Sequence, residues 1–188
     1  MRFRRLLLAC TLGVSLAGAG TLEEAAALVE AHRYPEALQM LEPLVAAEPT
    51  NAAACHYLGR ALVARNDSTS LEEGLTWLQR AVNLKPDDAR YLGSFGAASL
   101  QLASRTNSLS RATQGRDALE KAVSLDAGQL DAREALFLFY QRAPWPLGSR
   151  AKAAVHLEEI RRRNPDLGTV LDVTTKVTAK DFAAGFQQ

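Results

Sequence analysis

His32, His56 and His156 are the residues of this sequence best suited to proton transfer or metal ligation near neutral pH. They lie far apart, and none stands at the spacing with which one helix or one loop presents two ligands to an ion. No Cys-x-x-Cys, His-Glu-x-x-His or calcium loop occurs, and no Gly-x-Ser-x-Gly elbow exposes a serine. Gly93-Ser94-Phe95-Gly96 falls inside a helical pattern, whereas a phosphate cradle needs a strand before it and a helix N-terminus after it. Catalysis, a resident metal and a cofactor are therefore not expected. What remains is recognition chemistry. His56, Tyr57, Arg60, Arg90, Ser94, Gln101, Gln141 and Arg142 supply hydrogen bonds, three forked cations and the aromatic face of Tyr57, a set suited to holding an extended peptide. Trp145, held between Pro144 and Pro146, is a second candidate contact.

These residues can act together only if the chain brings them to one face, and an internal repeat does so. Gly59 is answered by Gly96 after 37 residues, and Leu41, Leu44 and Pro49 by Leu78, Ala81 and Pro86 after the same interval. Leu78 and Ala81 recur as Leu119 and Ala122 after 41 residues, and Leu119, Ala122 and Ala127 as Leu157, Ile160 and Pro165 after 38. Such a period marks stacked helix pairs, each burying its apolar face only against its neighbours. Ala, Leu, Glu and Arg dominate, β-branched runs are absent until the C-terminus, and turn residues fall at regular intervals. Thr21-x-x-Glu24 and Ser70-x-x-Glu73 are expected capping boxes, and Asp131-x-x-Glu134 offers a third start. Pro35, Pro49, Pro86 and Pro165 mark helix boundaries, because proline lacks the amide that a helix interior needs.

The units resemble tetratricopeptide repeats, whose period is 34 residues with small residues and a closing proline at set positions. Tyr34-Pro35-Glu36-Ala37-Leu38 resembles the start of that family's second helix, and Leu58-Gly59 with Leu78, Ala81 and Pro86 is the fullest match. Units are expected at 21–49, 52–86, 89–127 and 130–165, with a degenerate remnant at 168–188 whose second helix holds Lys180 to Ala184. The resemblance implies an all-α, right-handed superhelical solenoid of antiparallel helix pairs, whose first helices present a concave groove to a protein partner. Among the Lys, Asn and Arg groups with which some members clamp a peptide carboxylate, only Arg60 and Arg90 have counterparts. Phe137 stands where the family has glycine, so the last full unit should be splayed or repacked. Each full unit exceeds the family period, and the surplus, 66–70, 104–113 and 143–149, is expected as inserted turns aligned along one edge.

Residues 1–19 read as a secretory signal peptide rather than part of the fold. Arg2, Arg4 and Arg5 precede an uncharged apolar run over 6–17, and Ala17-Gly18-Ala19 is an A-x-A cleavage site. That run is shorter than the roughly 20 apolar residues of a membrane span. Cleavage leaves 19 basic and 21 acidic residues, a net charge of −2, which does not suit nucleic-acid binding. Arg161-Arg162-Arg163 closes a helix, where cations complement the dipole. With Cys10 removed, Cys55 has no partner for an internal disulfide and is expected to pack as a small hydrophobe. The expected function is that of a non-catalytic scaffold, exported to the bacterial periplasm, binding a partner segment around Tyr57, Arg60 and Arg90. Alternatives are a small-molecule or glycan-binding solenoid, an accessory subunit of an envelope enzyme, and contact through the inserted turns.

Overall fold

The computed structural model describes residues 21–185 apart from Trp145, with side chains described as far as Lys176. The expected signal peptide lies outside the described residues. The described chain is helical: α1 (Leu22–Glu30), α2 (Tyr34–Ala47), α3 (Ala52–Ala64), α4 (Ser68–Leu84), α5 (Ala89–Thr106), α6 (Leu109–Leu125), α7 (Leu130–Arg142), α8 (Arg150–Arg163) and α9 (Pro165–Gly185). Each helix packs on the next, and α1, α3, α5 and α7 also touch in succession, which is the stacking of a solenoid. Leucines and alanines at the repeat positions form the core, among them Leu41, Leu78, Ala81, Leu119, Ala122 and Ile160, all nearly or fully removed from solvent.

Helix starts follow short-range chemistry, with corrections. Thr21 and Glu24 form the expected capping box through bonds of 3.2 and 2.9 Å. Ser70 does not open a helix. Asp67 caps α4 by accepting the Ser70 amide at 2.8 Å, and Ser70 is buried in the first turn. Nor does Asp131 cap α7, which begins at Leu130 after Gln129 without a side-chain cap bond. Asn164 accepts the Leu167 amide at 3.1 Å and starts α9, with Pro165 at its first position.

The inserted residues mostly do not form turns. Ser104, Arg105 and Thr106 continue α5 and residues 109–113 begin α6, so only Asn107 and Ser108 connect them. Asn107 takes a left-handed conformation (φ 53°), which lets two long helices meet through a tight turn. Extending both helices satisfies their backbone groups internally, whereas a ten-residue loop would leave them to water. Residues 143–149 are different, because Pro144 and Pro146 cannot continue α7. The remnant is also simpler than expected. Lys180 to Ala184 continue α9 and do not begin a second helix.

The paired helices meet at glycines. A Cβ on Gly59 would lie 2.7 Å from Leu78 Cγ and 2.8 Å from the Gly74 carbonyl oxygen. One on Gly96 would lie 2.6 Å from Leu119 Cγ and 2.8 Å from the Gly115 carbonyl oxygen. Gly74 and Gly115 thus owe their place to close backbone approach, which offsets their weak helix propensity.

Candidate functional site: the groove and its C-terminal cleft

Helix periodicity puts His56, Tyr57 and Arg60 on one face of α3, and Arg90, Ser94 and Gln101 on the matching face of α5. Stacking brings these faces together, and one hydrogen bond, between His56 and Ser94, joins them directly. His56 is buried, its Nε2 lies 2.9 Å from Ser94 Oγ, and its ring packs 4.7 Å from the Tyr91 ring. Burial, helped by Arg60 and Arg90, lowers its pKa to about 3, so the imidazole is neutral at physiological pH. Serine and histidine here have the spacing of a nucleophile and its base. A base this weak cannot take the serine proton, and both residues sit mid-helix, where the amides are committed to the helix ladder. The pair is a latch between repeats.

The arginines are similarly engaged. Arg60 pairs with Glu30 of α1 and lies 6.0 Å over the Tyr57 ring, and its hydrogen bonds hold the Glu30 carboxyl below its ordinary pKa. Arg90 forks onto Asp88 with bonds of 3.3 and 3.0 Å and lies 5.6 Å from the Tyr91 ring centroid. Gln101 donates to Asn66 at 2.9 Å, tying α5 to the preceding turn. Gln141 and Arg142 are exposed at the end of α7, and among the described residues neither is in an ion pair or a side-chain hydrogen bond. Trp145 lies outside the described residues. Thus His56, Tyr57, Arg60, Arg90 and Ser94 form one patch, while Gln101 and Arg142 belong to a second feature.

That feature is a surface cleft of about 690 Å³ between α5 and α7, lined also by the α5–α6 turn and by Ala143, Pro144 and Leu147 of the following loop. Leu100, Leu109, Ala112, Leu138, Phe139, Pro144 and Leu147 give it an apolar lining, with Gln101 and Arg142 at its edge. Leu109 is 67% exposed and joins Leu100, Leu138 and Phe139 in one contiguous apolar lining. Its far wall is braced. Tyr140 donates to Glu120, Lys152 Nζ lies 3.2 Å from both, and the Ser149 amide donates to the Tyr140 carbonyl at 3.0 Å. Sequence reasoning missed Leu100, Leu109, Phe139 and Leu147. Leu109 was readable as an apolar residue inside a segment otherwise polar enough for a turn, and the closeness of the other three was not.

Other candidate groups have local duties. Arg161, Arg162 and Arg163 close α8 and pair with Glu158, Glu159 and Asp172, while Arg133 from α7 also reaches Glu159. Cys55 is buried against the Pro49 carbonyl, and burial raises its thiol pKa. Among the described residues, no three metal-ligating side chains gather and no helix is long and apolar enough to cross a membrane.

Residues 16–94 match the family model described as Tetratricopeptide repeat. The chain is similar to a thermophilic TPR protein of Thermus thermophilus, at 21% identity and a TM-score of 0.65, over 83% of this chain and 79% of that one. It is also similar to the Thermobaculum terrenum O-GlcNAc transferase (K341M mutant), at 20% identity and a TM-score of 0.56, covering 75% of this chain but 26% of that enzyme. None of the curated proteins matches the sequence. The fold is therefore an all-α solenoid of the tetratricopeptide-repeat type, with the right-handed superhelical stacking of that class. Proteins of this architecture serve in general as scaffolds for protein partners.

Proposed function

We propose that the whole chain is a tetratricopeptide-repeat protein, exported through its N-terminal leader, that holds a segment of a protein partner along its concave groove without catalysing a reaction. One observation carries this reading. The inner faces of α5 and α7 leave a wide, apolar, open-sided cleft in which Leu100, Leu109, Leu138 and Phe139 lie together, whereas the leucines at the repeat positions are buried. The polar patch on α3 and the start of α5 extends the same face and adds a rim of hydrogen bonds and the half-buried ring of Tyr57. Export rests on Arg2, Arg4, Arg5, the apolar run and Ala17-Gly18-Ala19.

The test has two arms. Intact mass of the exported protein should correspond to a chain beginning at Gly20, and a chain retaining residues 1–19 would overturn the leader assignment. Crosslinking in intact cells should recover the same partner with wild type and with a convex-face variant, Gln79→Ala. Recovery should fall by about tenfold with groove substitutions at Tyr57, Arg60 and Leu138 combined, while helicity is unchanged. Equal recovery by the groove variant would remove the groove from partner binding.

A further inference from the structure

The two parts of the concave face differ in chemistry, and the difference selects a class of partner. Around α3 the charged groups are already paired, Arg60 with Glu30 and Arg90 with Asp88. Among the described residues, the lining of the α5–α7 cleft contains one charged side chain, Arg142, and no acid. Arg142 is exposed and meets no carboxylate within ion-pair distance among the described residues. A segment entering the cleft thus finds apolar surface from Leu100, Leu109, Leu138 and Phe139, with one unmatched guanidinium at the edge.

From this we propose that the cleft is the anchor pocket of the groove, and that it takes an acidic amphipathic segment of a partner protein. One or two bulky apolar side chains fill the trough, and an aspartate or glutamate beside them accepts from Arg142. The inference rests on the scaffold reading above. Charge complementarity decides the sign of the partner: an acidic residue meets the Arg142 cation and, among the described lining residues, no acid, whereas a basic residue is repelled by Arg142. Shape decides the form of the ligand. The cleft is a surface trough and not an enclosed cavity, so a continuing polypeptide can lie across it, and its volume of about 690 Å³ accommodates several side chains. Aliphatic burial supplies most of the affinity, and the forked hydrogen bonds of Arg142 set register.

Random peptides displayed on phage, selected against the full chain, test this directly. Enriched peptides should carry leucine or phenylalanine flanked by aspartate or glutamate. A dye-labelled synthetic peptide of the enriched sequence should lose about tenfold or more in affinity on Leu109→Asp, a change at an exposed position that leaves the fold intact. Arg142→Glu should weaken it comparably, and the weakening should be recovered when the acidic residues of the peptide are replaced by lysine. Leu138→Asp, checked by circular dichroism, should abolish binding. Enriched peptides that ignore these changes but are lost on Arg60→Ala with Arg90→Ala would overturn the anchor-pocket inference while keeping the scaffold reading. Enrichment of basic sequences would overturn the acidic-partner assignment. No enrichment, together with saturable binding of a small apolar dye that Leu109→Asp removes, would overturn both readings in favour of a small-ligand site.

Discussion

The hairpins α3–α4 and α5–α6 are built on facing glycines, whereas α7–α8 is built on Phe137 and Ala153. In the first two, Gly59 opposes Gly74 and Gly96 opposes Gly115, so the backbones themselves are in contact. In the third, a fully buried phenylalanine occupies the position of the first glycine and Ala153 that of the second. Its helices pack less extensively along their length, and their connection is the proline-bearing 143–149 loop instead of a tight turn. The lesson is that one repeat pattern tolerates two kinds of core. Backbone contact permits long, straight hairpins, and an aromatic wedge holds helices that cannot approach. The cleft lies at the junction between these two kinds of unit, where α5 of one faces α7 of the other.

Substituting the wedge should produce the largest effect. Phe137→Ala removes a fully buried ring from the core of the third hairpin, and should cost about 4 kcal/mol in chemical denaturation. A loss below about 1 kcal/mol would mean that Phe137 does not hold the third hairpin. Gly96→Leu should cost about 3 kcal/mol, because even its Cβ meets the Gly115 carbonyl, a backbone atom that cannot rotate away. If that variant were as stable as wild type, the close approach of α5 and α6 would be refuted.

A pH-dependent effect, smaller per pH unit, belongs to the glycine-built half. His56 titrates near 6.5 when unfolded and near 3 when folded, so between these values the unfolded chain binds the extra proton. Its contribution is therefore complete above about pH 6.5 and declines as pH falls toward 3, by up to about 1.4 kcal/mol per pH unit. His56→Gln should flatten that part of the stability profile, and an unchanged slope would assign it to another group. At the small end, Gln79→Ala on the surface of α4 removes only a bond of 3.0 Å to Asn83 within the same helix. Its thermal shift should correspond to less than about 0.5 kcal/mol.

The sequence carries most of the scaffold in plain view. Leu41, Leu78, Leu119 and Leu157 recur because each unit presents the same apolar stripe, and all four are buried. Gly59 and Gly96 are legible as points of close contact for the same reason, and Phe137 as the departure. The candidate site is less legible. His56 and Ser94 fall on facing stripes, yet nothing in their spacing reveals that they bond to each other. Leu109 reads as part of an inserted turn and instead begins a helix, with its side chain at the mouth of the cleft.

By itself, then, the amino-acid order determined what depends on neighbours within a few turns: helical periodicity, the Thr21 cap, the proline boundaries and the phase of the repeat. Tertiary structure decided what depends on residues some thirty or more apart. It chose whether the surplus residues lengthened α5 and α6 or formed a loop. It committed Arg60 to Glu30 and His56 to Ser94, and it left Arg142 without an acid among the described residues. The physical reason is range: a helix turn satisfies its own hydrogen bonds wherever it lies, but a charge or an apolar side chain is satisfied only by what the fold brings against it.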